Sequence, residues 1–310
     1  MLNWMYWKQT IQSLQYLLDN GIKNTAVVIV DNGSTNNSAE EIKSFLQKNS
    51  ESQSHNEFHF KSVVVNLIES ASNEGFSGGV NRGVSAAQKY SPEFYLLLNN
   101  DAYIKESDIE ALKICSKEND YALVGPVIHS HDNSSVITFA GKRWPGLLFD
   151  QRFTPPQTKT WTTGYIEGSA LLFHASFLKK KLSTDGFLMD ERFFLYYEDV
   201  DLCRRALEMG FQCLMTSTAT ATHKVSFSTG GHANNRSRYY MNRNRVLIAK
   251  KWMHQPSRSL FYSAFISSRV LLILKSLLSK ETRSSVRYMI SALCDGFSNR
   301  FGYKDFQAWH

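Results

Sequence analysis

Residues Phe94-Tyr95-Leu96-Leu97-Leu98 run directly into Asn99-Asn100-Asp101, and this run constrains the fold more than any other stretch. A short unbroken apolar run reads as a strand covered on both faces, as in a mostly parallel sheet flanked by helices. In open α/β sheets, ligands sit off the carboxyl ends of the strands. Asn99, Asn100 and Asp101 therefore stand where a buried strand meets solvent and ligand. Asp101 is the hard oxygen donor that a divalent cation needs when it also holds a diphosphate. Asn and Asp are also ordinary turn residues, so this stretch alone leaves both readings open.

The neighbouring segments supply the rest of an α/β pattern. Residues 8–20 have helical spacing, with Ile11, Leu14, Leu17 and Leu18 on one face and Gly21 as a stop. Ala26 to Val30 is a buried strand that ends in Asp31-Asn32-Gly33-Ser34. A polar helix opens at Ser38, and residues 49–57 read as an exposed loop. Val63-Val64-Val65 is another short strand, followed by the glycine-rich run from Asn73 to Gly83 and a helix to Lys89. Beyond Asp101, Ser107 is the expected cap of a helix through Leu112. Strands are expected at 122–128, 136–140, 170–173 and in the small-residue run 216–222, with a long functional or disordered loop at 141–163. The alternation predicts a parallel sheet with helices on both faces and right-handed crossovers. The ends of the strands at Asp31 and Asp101 and the glycine loop then share one edge.

Three blocks carry candidate chemistry. The glycine loop is not the G-x-G-x-x-G dinucleotide fingerprint. Glycines at a helix start let backbone N–H groups approach a phosphate or base, or they simply serve a tight turn. In the run Phe187 to Arg205, aromatics lead into Glu198, Asp199 and Asp201 at the start of a helix that stops at Gly210. There the helix dipole favours the anionic form. A carboxylate in an aromatic-walled pocket is what a general base for a hydroxyl requires; charged decoration of a helix N-terminus gives the same letters. His223 ends the last core strand, as a hydrogen-bonded structural residue or as a ligand.

Composition narrows the class. A hydrophobic share of 43% over 310 residues fills a real core. The four cysteines form no C-x-x-C pair, which argues for a reducing compartment and against structural zinc. The amino end lacks a basic region followed by an apolar one, so no signal peptide is expected. Of the net charge of +7, residues 224–310 carry +12 (fifteen Lys/Arg, three Asp/Glu), leaving −5 for residues 1–223. A basic tail on an acidic front suggests an anionic partner, or a solvated face. No nucleic-acid motif appears, and the aromatics do not interleave with the basic residues, so nucleic acid is not expected. Residues 224–237 read as a flap. Residues 260–278 are apolar but contain Arg269 and Lys275, so an amphipathic helix on an anionic leaflet, or one packed on the core, is expected rather than a spanning one.

In order, Asp31-Asn32-Gly33-Ser34, Asn73-x-Gly75-Phe76-Ser77-Gly78-Gly79-x-Asn81-x-Gly83, Leu98-Asn99-Asn100-Asp101-Ala102, Tyr197-Glu198-Asp199-Val200-Asp201-Leu202-Cys203-x-Arg205 and His223 resemble the inverting glycosyltransferases of family 2, with the GT-A fold. The nearest likeness is to the rhamnosyltransferase-like branch. Tyr239-Tyr240-x-x-Arg243-Asn244 and Asp295-Gly296-Phe297 also match segments of that branch. The resemblance covers nearly the whole chain. It implies a Rossmann-like, mostly parallel sheet with flanking helices over residues 1–223, and a flap with a basic helical tail over 224–310.

The resemblance also implies roles. Asp31 would read the nucleobase, and Asn73, Gly79 and Asn81 would surround the nucleoside. Asn100 and Asp101 belong to the D-x-D-like motif, with Asn99 where the first Asp often stands. Asp101 and His223 would hold Mn²⁺ or Mg²⁺. Asp199 would be the catalytic base, with Glu198 beside it on the acceptor side. The implied substrates are a nucleoside-diphosphate sugar, with rhamnose as the family-level guess, and a glycan or polyprenyl-linked acceptor in cell-surface polysaccharide synthesis. The implied setting is cytoplasmic, peripheral at the inner face of the plasma membrane. One base and one displacement imply inversion. Met1-Leu2-Asn3-Trp4 stands where the family has a full apolar strand, so the first strand is expected to be missing or a stub. An inactive nucleotide-sugar-binding protein is the alternative. Sugar, base, linkage and oligomeric state are not specified by these motifs.

Overall fold

In a computed structural model of the chain, the residues described are 1–143, 150–151, 154–224, 234–278 and 282–306. In chain order they form β1 (Leu2–Asn3), α1 (Trp7–Asp19), β2 (Thr25–Asp31), α2 (Ser38–Asn49), β3 (Ser52–Ser54), β4 (Glu57–Phe60), β5 (Val63–Glu69), α3 (Gly75–Ala87), β6 (Phe94–Leu98) and β7 (Ala102–Ile104). Next come α4 (Glu106–Glu118), β8 (Leu123–Ser130), β9 (Ile137–Phe139), β10 (Lys142–Arg143), β11 (Asp150–Gln151), β12 (Thr160–Thr162), β13 (Ala170–His174) and α5 (Ala175–Asp185). The chain continues with α6 (Glu198–Glu208), β14 (Cys213–His223), α7 (Asn235–Trp252), α8 (Ser257–Leu277) and α9 (Ser285–Phe297).

The strands form two main sheets, β1-β2-β5-β4-β3 and β12-β14-β8-β13-β6, with β7 added to β14 and β9 to β8. The parallel pairs are β1–β2, β2–β5 and β8–β14, whereas β13 runs antiparallel to both β6 and β8. A continuous apolar run reports burial on two faces and is silent on strand direction, so the mixed second sheet was not visible in Phe94–Leu98. β1 is a two-residue strand, pairing Leu2 with Val30 and Asn3 with Asp31. No ladder joins it to β6 among the described residues.

Side chains bridge the two sheets instead. Asn100 Nδ2 donates to Thr10 Oγ1 (3.0 Å), and Thr10 Oγ1 donates to Asn3 Oδ1 (2.8 Å). Ser13 Oγ donates to the Ala102 carbonyl (2.7 Å). Buried hydrogen bonds of this kind contribute about 1 kcal/mol each, and more is lost when one partner is left unpaired. α1 therefore fastens the start of one sheet to the Asn100–Ala102 turn of the other.

Two local expectations change. Residues 52–60 form the hairpin β3–β4, in which β3 is exposed while β4 pairs with β5 and buries Phe58; the polar letters of 49–57 carry no alternation that would announce β3. The cap position of α4 is Lys105 rather than Ser107, with no side-chain capping bond.

Residues 234–306 are built into the body rather than trailing from it. Leu247 and Ile248 of α7 lie in the main hydrophobic core. Helices α7 and α9 approach closely where a Cβ on Gly296 would meet Val246 Cβ at 3.0 Å. Part of the basic excess is internal. Lys251 Nζ lies 2.6 Å from Asp190 and 2.7 Å from Asp201, and Arg243 is only 1% exposed. Burial raises the pKa of Asp190, but Arg192 and Lys251 outweigh it and hold that carboxyl at about 2. The flap expected at 224–237 lies mostly in residues 225–233, and much of the loop at 141–163 in 144–149 and 152–153, outside the described residues.

Candidate active site

A cavity of about 1990 Å³ opens where the strand-end loops meet the C-terminal helices. One wall holds Asn32 and Gly33 after β2, Asn73 and Gly75 at the start of α3, and Asn99, Asn100 and Asp101 after β6. Glu167 to Ser169, Phe194 to Val200 and His223 line it as well. Tyr240, Met241 and Arg245 of α7 and Phe261, Phe265 and Arg269 of α8 complete it. Close loop contact explains two glycines. A Cβ on Gly33 (φ 65°) would lie 2.4 Å from the Ser72 backbone carbon, and one on Gly75 (φ 73°) 2.4 Å from the Phe194 carbonyl oxygen. No L side chain fits either position.

Asp101 and His223 meet because β7, immediately after Asp101, pairs antiparallel with the end of β14, opposing Ala102 to His223. His223 Nε2 lies 3.1 Å from Asp101 Oδ1, and its Nδ1 lies 3.3 Å from Glu167 Oε1. That second contact is an ion-pair distance without hydrogen-bond alignment, since Nδ1 is buried with no hydrogen-bond partner. Burial lowers the imidazole pKa, but its close contacts with Asp101 and Glu167 and their charges override this and raise it to about 10. With no metal bound, the two carboxylates therefore favour the protonated ring.

Among the described residues no group of three or more His, Cys, Asp and Glu is arranged to hold a metal ion. The pair Asp101 and His223 still fits a divalent ion that draws its other ligands from a diphosphate. A carboxylate and a neutral imidazole are the right donors; the cation would displace the ring's proton, and Nδ1 has no hydrogen bond to give up.

The other carboxylates, Glu198 and Asp199, line the same cavity. α6 begins at Glu198, so Glu198 and Asp199 occupy its first turn. Asp199 Oδ2 accepts the Gly168 N–H (3.1 Å) and Oδ1 the Val200 N–H (2.8 Å). The helix dipole alone would keep both residues anionic; burial dominates instead. It raises the Asp199 pKa to about 6, with the Gly168 N–H opposing and the Glu167 charge reinforcing. Glu198 is raised well above the carboxylate range, first by burial and then by Asp199. It is 6% exposed and its Oε2 has no hydrogen-bond partner. The pair therefore holds one readily ionised carboxylate and one kept neutral.

The loop before α6 is strained. Phe194, Tyr196 and Tyr197 have φ of 63°, 70° and 75°, each costing of order 1–3 kcal/mol. Helix α7 holds it in place. Asn244 Nδ2 donates to the carbonyls of Phe193, Leu195 and Tyr196, each at 2.8 Å. Arg243 donates to the Arg192 (3.1 Å), Phe193 (3.0 Å) and Gly302 (2.6 Å) carbonyls. Asn244→Ala is expected to free this loop and lower kcat about a hundredfold, the effect of misplacing a reacting group by ~1 Å, with donor KM little changed. Steady-state kinetics check it; an unchanged kcat would detach α7 from the catalytic geometry.

The structure sorts the residues singled out from sequence. Asn73, Asn100, Asp101, Glu198, Asp199 and His223 line one cavity. Asp31, Gly79 and Asn81 do not. The Asp31 carboxylate is 2% exposed and occupied by Asn3 Nδ2 (2.6 Å), Ser34 Oγ (2.7 Å) and the Ser34 N–H (2.9 Å). A Cβ on Gly79 would strike Leu2 Cδ1 at 2.3 Å, so this glycine admits β1. Asn81 bonds Met189 through both its amide nitrogen and its oxygen (2.8 Å each), bracing the segment before α6. Sequence reading missed Glu167, Arg245 and Arg269. Glu167 sits alone between glycines, and the arginines lie on helices that only tertiary packing brings to the site.

The sequence model of the family described as "Glycosyl transferase family 2" matches residues 4–182. More than half of the chain matches, and the chain belongs to that family. It is 23% identical over 280 residues to the low-salt glycan biosynthesis hexosyltransferase Agl10 of Haloferax volcanii, covering 89% of this chain and 83% of that one. It is 26% identical over 195 residues to the N-acetylglucosaminyl-diphospho-decaprenol L-rhamnosyltransferase of Mycobacterium tuberculosis, covering 54% of this chain and 61% of the relative. Among solved structures it resembles S. aureus TarS 1-349 in complex with UDP-GlcNAc, with a TM-score of 0.54 and 14% identity over 96% of this chain and 79% of that one. It also resembles GalNAc-T7 with UDP, GalNAc and Mn²⁺, with a TM-score of 0.55 and 13% identity over 88% of this chain and 49% of that one. Likeness at such identities shows the GT-A fold. With the family, it makes this protein a glycosyltransferase.

Proposed function

We propose that the protein moves a hexose, with rhamnose the first candidate, from a nucleoside-diphosphate donor to a lipid-linked glycan acceptor, inverting the anomeric centre, at the cytoplasmic face of the membrane. The observation that carries this reading is that the Asp101–His223 pair and the Asp199 carboxylate open on the same cavity. On this reading residues 1–223 carry the donor chemistry, and α7 and α8 wall the acceptor side.

Asp199, ionised, takes the proton of the acceptor hydroxyl as that oxygen attacks the anomeric carbon on the face opposite the diphosphate. Neutral Glu198 keeps a second negative charge away from it. The Gly168 N–H holds the carboxylate of Asp199 in register. Asp101 and His223 would hold Mn²⁺ or Mg²⁺, which when bound neutralises the departing diphosphate. Asn73, through its oxygen on the Gly75 N–H (2.8 Å), shapes the donor-side loop.

The names of two relatives, one acting with a decaprenol-linked sugar and one on thymidine-diphosphate rhamnose, support the choice of donor and acceptor. A panel of nucleotide sugars assayed for free nucleoside diphosphate tests the reading. One donor is expected to release nucleoside diphosphate, and EDTA is expected to remove most of that release. Release from none, with metal and acceptor present, would reject it.

A further inference from the structure

Helix α8 presents three side chains to the cavity one turn apart: Phe261, Phe265 and Arg269. The rings of Phe261 and Phe265 stack 5.5 Å apart, and the Arg269 guanidinium lies 5.4 Å from the Phe265 ring centroid. This ridge is apolar along its first two turns and cationic at the third. A second guanidinium stands nearby. Arg245 of α7 lines the same cavity, and its like charge acts directly on Arg269.

The hydrogen bonds of both arginines go to neutral groups: Arg245 to the Tyr197 hydroxyl (2.6 Å), and Arg269 to Asn242 Oδ1 (3.1 Å) and Ser268 Oγ (3.3 Å). Neither forms an ion pair with a carboxylate among the described residues. Two partly buried cations facing each other with only neutral partners repel unless an anion joins them. Tyr197, bonded to Arg245, is two residues before Asp199.

Beyond the cavity, α8 turns an apolar face to solvent. Leu271 is 68% exposed, Leu274 55% and Leu277 46%, and Leu278, just past the helix end, is 90% exposed. By length and composition α8 is apolar enough to cross a membrane, and 11% of that window is buried. Lys275 sits in its last turn.

We propose that Arg245 and Arg269 form a subsite for the phosphate or diphosphate of the acceptor, with the Phe261–Phe265 ridge receiving the first isoprene units of its lipid. The ligand class is an isoprenyl diphosphate, anionic at the head and apolar behind it. This deepens the function proposed above and rests on it. It adds where the acceptor's head is held and why the acceptor must be amphiphilic. The exposed leucines then lie on the side from which such a lipid arrives.

Titration calorimetry with farnesyl diphosphate, with the donor site saturated by nucleoside diphosphate and Mn²⁺, tests it. Farnesyl diphosphate is expected to bind at least about tenfold more tightly than inorganic pyrophosphate or farnesol. Arg269→Gln is expected to weaken it about tenfold or more, with nucleoside diphosphate affinity unchanged. Ala264→Glu, at a small exposed cavity-lining position free of Arg269's bond to Asn242, is expected to weaken it too. Competition between farnesyl diphosphate and nucleoside diphosphate would place the probe on the donor site and overturn the subsite. Binding indifferent to both substitutions would also overturn it. A failure of the glycosyltransfer reading looks different, because then no nucleotide sugar in the panel would release nucleoside diphosphate, whatever farnesyl diphosphate does.

Discussion

Asp199→Asn is expected to abolish sugar transfer, with kcat down by about three orders of magnitude, the middle to upper range for a positioned general base. Nucleoside diphosphate binding is expected to be nearly unchanged. Asparagine keeps the shape and can still accept the Gly168 N–H, which Asp199 accepts at 3.1 Å, but its amide oxygen cannot take up a proton. The donor side does not depend on its charge, because Asp101 and His223 pair with each other. The same carboxylate sets the acid limb of the rate profile. Burial lifts its pKa to about 6. A base works only when deprotonated, so the rate falls as pH drops through 6. At pH 5 about a tenth of the enzyme carries the ionised base. An Asn variant that keeps most of its activity, or a wild-type rate flat from pH 7 to 5, removes Asp199 from the mechanism.

The second large effect is expected at Asp101. Asp101→Asn removes the only carboxylate of the Asn99-Asn100-Asp101 turn. It also takes the negative partner from His223 Nε2, 3.1 Å away. The expected result is loss of Mn²⁺-dependent nucleoside diphosphate binding and a fall in kcat of about 10²–10³, comparable with deleting one electrostatic stabiliser of a transition state. Calorimetry with and without Mn²⁺ checks this. Nucleoside diphosphate affinity that rises with Mn²⁺ to the same degree in variant and wild type would mean that the cation is held elsewhere.

What could be read from the letters was what local pattern encodes. The strand Phe94–Leu98, the helix starting at Glu198 and the strand ending at His223 fall where apolar runs, turn residues and small-residue stretches put them. What could not be read depends on tertiary accounting. Asp31 ends its strand as expected, yet Asn3 and Ser34 use up its carboxylate. Asn81 resembles a ligand-loop residue, but it is spent bracing Met189. The dipole at the start of α6 argued for two anions, and burial reversed that for Glu198. Arg243 counted toward a basic surface and proved to be a buried brace for the Arg192, Phe193 and Gly302 carbonyls. Partners and burial of these polar side chains come from tertiary packing, which local sequence pattern does not encode.

The most direct test of the central claim follows the anomeric proton of the transferred sugar by NMR during turnover with the active donor. A single displacement driven by Asp199 predicts a product of inverted configuration, formed one for one with nucleoside diphosphate. A product that retains the donor's configuration would require a covalent or front-face route and would contradict a mechanism with one base and one displacement.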